Sequence, residues 1–172
     1  MHPELITRHE HPTDIDDVDR LVGEAFGGRP NEVALVRRLR GAATPISLVA
    51  VYRATVVGHA MLSVLALEAH HERVLGLAPV SVSPGYQGRG IGSRLTRDCL
   101  SVAEAFGGAM VVVLGDPAYY GRFGFVSASR HGIEPPAEVP SGSFMVVCFS
   151  AHDEGARGRI IYPAVFRETG TL

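Results

Sequence analysis

The sequence predicts an α/β (α+β) domain, and three observations carry that prediction. Two strand-like runs, Ile46 to Arg53 and Val56 to Leu67, are joined around Ala54-Thr55, a connection so short that the pair reads as an antiparallel hairpin. A β-rich segment from Arg73 to Val82 passes through a glycine-rich turn into an amphipathic helix from Gly90 to Phe106. The run Ala109 to Leu114 is continuously apolar, as suits a strand buried on both faces.

Taken in order, Leu5 to Arg8 alternates weakly and reads as a first strand. Thr13 is placed to cap a helix, with Asp16 three residues on. Ile15, Val18, Leu21, Val22, Ala25 and Phe26 then recur at helical spacing and stop at Gly27-Gly28. A second helix, Asn31 to Arg40, offers Val33, Leu35, Val36 and Leu39 to a core. The helix after the glycine turn carries Ile91, Leu95, Cys99, Val102 and Phe106 on one face. Phe125-Val126 begins a strand, His131 to Pro140 is a proline-rich loop, and Ser143 to Ser150 is a late strand.

With 172 residues and 46% hydrophobic composition, residues 1–172 fit one domain that needs no disulfide or metal to enclose its core. A net charge of −2 supplies no basic field for nucleic acid. The apolar runs are far shorter than the roughly 20 residues that cross a bilayer, so no membrane partner is expected. Two cysteines without metal-type spacing, and no apolar leader at the N-terminus, suit a reduced cytoplasm. All 16 basic residues are arginine, which excludes Schiff-base chemistry and the lysine-dependent phosphate loop. His9/His11 and His70/His71 lack a cysteine or carboxylate framework, and no metal is expected. Cys99 and Cys148 fall on predicted buried faces and read as small hydrophobes.

The glycines at 88, 90 and 92 let the chain turn tightly and leave its amides uncovered, while the helix start adds more amides and a positive dipole end. Such a turn suits phosphate. Arg89 and Arg94 either add charge there or lie on a solvated helix face. A dinucleotide-binding turn is a weaker reading, although Asp116 ends the next strand: the spacing is Gly-x-Gly-x-Gly, and the strands before it look hairpin-connected.

Gln87-Gly-Arg-Gly-Ile-Gly92 resembles the Gln/Arg-x-x-Gly-x-Gly/Ala signature of the GNAT superfamily of N-acetyltransferases, and Gln87 is the only glutamine in the chain. Leu114-Gly-Asp-Pro-Ala-Tyr-Tyr-Gly-Arg-Phe-Gly-Phe125 is similar to a second family motif, and Arg159-Ile-Ile-Tyr-Pro-Ala-Val-Phe166 strengthens the likeness to one branch. The resemblance implies a mixed, mostly antiparallel sheet flanked by helices, with splayed central strands that admit the pantetheine arm of acetyl-CoA.

The resemblance also implies roles. Backbone groups of Val80, Ser81 and Val82 would meet pantetheine, and Gln87, Gly88, Arg89, Gly90, Ile91, Gly92 and Ser93 would surround the pyrophosphate. Tyr119 and Arg122 would complete the cofactor site. Tyr120 would stand near the sulfur and protonate the departing thiolate, a phenol of pKa about 10 being neutral at physiological pH; the plainer reading packs it with Tyr119, Phe123 and Phe125. For the base that deprotonates the amine, Glu68, His70, His71, Glu72, His59 and an ordered water all remain open. The expected activity is acetyl transfer to a small-molecule or peptide amine; the oligomeric state is open, with a homodimer among the options. The alternative is an acyl-CoA-binding sensor module with weak catalysis. An acceptor pocket is expected from the first two helices, the loop near Glu68 to Arg73 and the proline-rich segment.

Overall fold

The computed structural model describes residues 4–41 and 46–172. Strand β1 (Leu5–His9) is followed by helices α1 (Ile15–Ala25) and α2 (Pro30–Arg40), the hairpin β2 (Ile46–Tyr52) and β3 (Thr55–Leu67), and β4 (Val74–Val82). Then come α3 (Ile91–Ala105), β5 (Met110–Leu114), the single turn α4 (Pro117–Tyr120), β6 (Val126–Ser127), β7 (Ile133–Glu134), β8 (Phe144–Cys148), β9 (Gly158–Ile161) and α5 (Ala164–Glu168). Among the described residues no helix is long and apolar enough to cross a membrane.

The strands line up in the order β1-β2-β3-β4-β5-β8-β6. Every neighbouring pair along this path is antiparallel except β4 and β5, so the expected mixed, mostly antiparallel sheet is present. Alternation along the strands divides the core. Leu48 and Ala50 of β2 face α3 with Leu95 and Cys99, whereas Val49 and Val51 face α1 and α2 with Leu21 and Leu35. Helix α3 lies close because Gly58 yields space: a Cβ there would be 2.9 Å from both Ile91 Cγ2 and Leu95 Cδ1.

Two local features set up the site. Ala60 pairs with Val80 but Leu62 pairs with Leu77, so Ala78 and Pro79 together oppose Met61. This is a bulge, and it suits a proline, which has no amide hydrogen for the ladder. In addition, β4 and β5 pair over only three residues each, from Val74 with Met110 to Gly76 with Val112. Beyond that point β4 continues on β3 and β5 continues on β8. The two central strands therefore part, as the resemblance implies.

Several local expectations are corrected. The entrance to α1 is capped by a 3-10 turn rather than by Thr13: His11 Nδ1 accepts from the Thr13 amide, and Asp14 Oδ2 accepts from the His11 amide at 2.7 Å. The segment 158–161, which carries no strand periodicity, forms β9 against the end of β3 and beside β7. The proline-rich stretch contains β7 and is not wholly a loop.

Candidate functional site: a notch between two central strands

Where β4 and β5 part, two hollows flank the opening. The first, about 310 Å³, has Leu77, Ala78, Pro79 and Val80 on one wall and Leu114, Gly115 and Tyr120 on the other. Phe26, Glu32 and Leu35 close it from the first two helices, and Tyr162, Phe166, Thr171 and Leu172 from the C-terminal segment. The second hollow, about 360 Å³, is lined by Val82, Tyr86, Gln87, Gly88, Gly90, Ile91, Gly92, Ser93, Tyr119 and Arg122. The predicted glycine turn thus forms its wall.

Gly88 and Gly90 adopt left-handed φ values of 73° and 83°, a conformation that favours glycine. A Cβ at either would meet nothing within 4 Å, so both are selected by backbone conformation and leave the turn uncovered. Gly92 serves space instead, because a Cβ there would sit 2.9 Å from the Tyr119 hydroxyl. Gly90 caps α3 without a side-chain hydrogen bond, and the Arg94 amide bonds to the Gly90 carbonyl at 2.9 Å. The amides of Ile91, Gly92 and Ser93 precede that bond and have no intrahelical acceptor. Gln87 Nε2 donates to the Val82 carbonyl at 3.0 Å, pinning the turn to the end of β4. These amides, at the positive end of a helix, are hydrogen-bond donors of the kind that suits an anionic group.

The predicted side chains divide. Arg122 lies over the rings of Tyr119 and Phe123, at 4.6 and 5.4 Å, and donates from Nε to the Tyr119 carbonyl, so it braces the second hollow. Arg89 stacks over Tyr86 at 5.4 Å and lines a separate small depression with Leu5 and Tyr52. Arg94 pairs with Asp98 at 2.7 Å. Ser81 turns its side chain into the protein, where Oγ has no partner among the described residues; only its backbone belongs to the β4 wall. Asp116 caps α4 by accepting from the Ala118 amide at 2.9 Å.

Tyr120 belongs both to an aromatic cluster and to the wall of the first hollow. Its ring packs edge-on against Tyr119 and Phe125, with centroids 4.9 and 5.6 Å away, and it also lines the first hollow. Gly115 gives it room: a Cβ there would fall 2.4 Å from Tyr120 Cε2. Burial, with smaller effects from Tyr119 and Cys99, pushes the phenol up to about 12, so it retains its proton throughout the physiological range.

Among the suggested bases, none lines the first hollow. His59 is fully buried, accepts or donates a 2.9 Å bond to Ser47, and is pushed down to about 4 chiefly by burial. Glu68, His70, His71 and Glu72 lie in the β3–β4 connection, which precedes the paired end of β4. There His70 Nε2 accepts from the Arg157 amide, and Glu72 binds His152. Two acids near the first helix are paired: Asp14, in the turn before it, with Arg8, and Asp19 with Arg37 and Arg40.

Glu32 carries the one carboxylate side chain on the wall of the first hollow. Its side chain is 14% exposed, Oε1 is 3.5 Å from Arg29, and Oε2 has no hydrogen-bond partner among the described residues. Sequence reasoning missed it because a glutamate in the first turn of a helix is an ordinary dipole partner. Tyr162 and Phe166, in edge contact at 4.9 Å, were visible only as part of the C-terminal motif.

The pattern of the acetyltransferase (GNAT) family matches residues 15–125. The uncharacterized N-acetyltransferase YhbS of Escherichia coli K12 is 35% identical over 132 residues, 75% of this chain and 78% of that protein. The uncharacterized N-acetyltransferase YjhQ of the same organism is 34% identical, with 74% of each chain covered. The crystal structure of E. coli YhbS in complex with CoA superposes with a TM-score of 0.87 at 31% identity, over 95% of this chain and 92% of that one. A GNAT family acetyltransferase from Brucella melitensis, in complex with acetyl-CoA, gives 0.79 at 31% identity over 96% and 99%. The notch, the glycine turn and these likenesses agree: the chain belongs to the acetyltransferase (GNAT) family.

Proposed function

We propose that the protein is an acetyl-CoA-dependent N-acetyltransferase that transfers the acetyl group directly to an amine within a ternary complex. The parting of β4 from β5 beside the glycine turn carries this reading. It offers an extended strand edge to the amides of pantetheine and a helix start to the diphosphate, the two parts of coenzyme A that need different partners. The complexes of the two relatives with CoA and acetyl-CoA support the same assignment.

In this mechanism the thioester lies at the base of the notch and the acceptor enters the first hollow. The neutral amine nitrogen attacks the carbonyl carbon, the C–N bond forms, and the C–S bond breaks. Tyr120 protonates the departing thiolate and is reprotonated from the nitrogen that has become an amide. Starting from a cationic amine, one further proton leaves. Glu32 is assigned to pair with the ammonium as it arrives, since a carboxylate with an unused oxygen in a mostly apolar wall favours a cation. The acceptor is accordingly an amine on an apolar body.

Calorimetric titration with acetyl-CoA, NAD and ATP tests the first half: selective binding of acetyl-CoA is expected, and none by folded protein overturns the reading. For the second half, Tyr120→Phe should lower kcat by about 100-fold, the lower range for a general acid, with acetyl-CoA affinity unchanged. Unaltered kcat removes Tyr120 from the reaction. Glu32→Gln should raise KM for a cationic apolar amine about tenfold, the value of one lost charge-assisted bond, and a KM unchanged for such amines reassigns the carboxylate.

A further inference from the structure

We propose that His131, Cys148 and His152 form a zinc site that ties together the end of the sheet remote from the notch. His131 ends the 3-10 turn Ala128–His131, Cys148 ends β8 opposite Met110, and His152 follows in the next loop. One ligand atom from each lies within 4.8 Å of the others, and Cys148 Sγ is 3.8 Å from His131 Nδ1. In a tetrahedral zinc site the ligand atoms stand about 3.5 Å apart, given bonds of 2.0 to 2.3 Å, so the cluster needs to contract by only about 1 Å.

The second observation is the state of His152. Its side chain is 4% exposed, and its Nδ1 lies 3.0 and 3.2 Å from the two carboxylate oxygens of Glu72. Glu72 is itself held by the Asp153 amide. A proton on Nδ1 shared with that carboxylate leaves the lone pair on Nε2, and Nε2 is buried with no hydrogen-bond partner among the described residues. A buried polar atom without a partner is costly. A carboxylate that fixes a histidine tautomer and leaves the lone pair on the opposite ring nitrogen is the arrangement that surrounds bound zinc.

Two imidazoles and a thiolate suit zinc among the common divalent ions, with solvent completing the coordination. Binding releases the thiol proton of Cys148 to solvent. The site joins the connection before β4, the turn before β7, the end of β8 and the loop before β9, so its effect is on stability. It also accounts for histidines that adjacency in sequence did not reveal, whereas His11 and His70 are occupied by backbone amides.

The test uses the untagged full-length chain, stripped with chelator and titrated with Co²⁺, then with Zn²⁺ in competition. One equivalent of cobalt should give tetrahedral visible absorption and a thiolate-to-metal band, both displaced by zinc. Cys148→Ser should lose the thiolate band, and Glu72→Gln should keep the stoichiometry while binding zinc about 10- to 100-fold more weakly. Folded wild type without these bands overturns the proposal, as does a thiolate band that survives in Cys148→Ser. Should Cys148→Ser not fold, Glu72→Gln decides, and wild-type zinc affinity in that variant overturns the site.

Discussion

The starts of helices α1 and α3 solve the same problem in opposite ways. The chain enters α1 through a 3-10 turn closed by His11 and Asp14, whose side chains accept from the Thr13 and His11 amides, and Asp16 and Asp17 occupy the first turn of the helix itself. At α3 the cap is Gly90 in a left-handed conformation, with no side-chain acceptor and no acidic residue in the first turn. A helix start supplied with its own carboxylates is closed to anions. One stripped of them, and widened by glycines at 88, 90 and 92, keeps its donors for a ligand.

The difference can be broken most directly by giving α3 what α1 has. Ser93 is the third residue of α3, where glutamate favours helix stability. Ser93→Glu should therefore leave the melting temperature unchanged or raised while weakening acetyl-CoA binding by about 30-fold, ~2 kcal/mol. Unchanged affinity in calorimetry would show that the amides do not receive the diphosphate.

A smaller effect is expected from moving α3 bodily. Gly58→Ala puts a methyl group 2.9 Å from Ile91 and Leu95 side-chain atoms and 3.4 Å from Ala50 Cβ. Overpacking of this kind costs roughly 1 to 3 kcal/mol, to be read from denaturant midpoints. Because Ile91 opens the helix, acetyl-CoA affinity should fall with it; stability loss at constant affinity would mean that the turn is positioned independently of the β3 contact.

The smallest change comes from opening α1. Asp14→Ala should cost about 1 kcal/mol, the usual value of a lost cap, with no effect on acetyl-CoA binding. The partner Arg8 is 40% exposed, so solvent screens much of their charge attraction. Hydrogen bonding from Arg8, opposed by burial and aided by the His11 amide, holds the Asp14 carboxyl below its usual range. Its stabilisation is therefore fully present above the unfolded pKa of about 3.9 and disappears as pH falls through the lower folded value. Denaturation of wild type and variant at pH 7 and at successively lower pH should show their difference shrinking on the acid side alone.

The same contrast explains what the sequence disclosed. The glycine turn was legible because its chemistry belongs to the backbone, and glycine is how a sequence spells uncovered backbone. Helical periodicity located Leu21, Leu35 and Leu95 in the core, as the structure confirms. Arg89 was ambiguous in the sequence, since an arginine beside a phosphate turn can equally stack on an aromatic ring, as it does on Tyr86. Glu32, and the trio His131, Cys148 and His152, were illegible: each acquires meaning from chain segments far away in sequence. The strands β6, β7 and β9 contain two to four residues, too few to display a period, and their places are fixed by neighbours.

The ring of Tyr120 occupies the space that any side chain at Gly115 would require. Gly115 is thus absent from the left-handed group, and its identity is dictated by volume. The two positions behave as one unit of inheritance. An aromatic ring at 120 tolerates only glycine at 115, and a lineage that enlarges residue 115 must first surrender the tyrosine. Across homologues the pair is expected to covary, so that the residue at 115 reports whether an aromatic ring stands at 120 even where the motif around it has diverged.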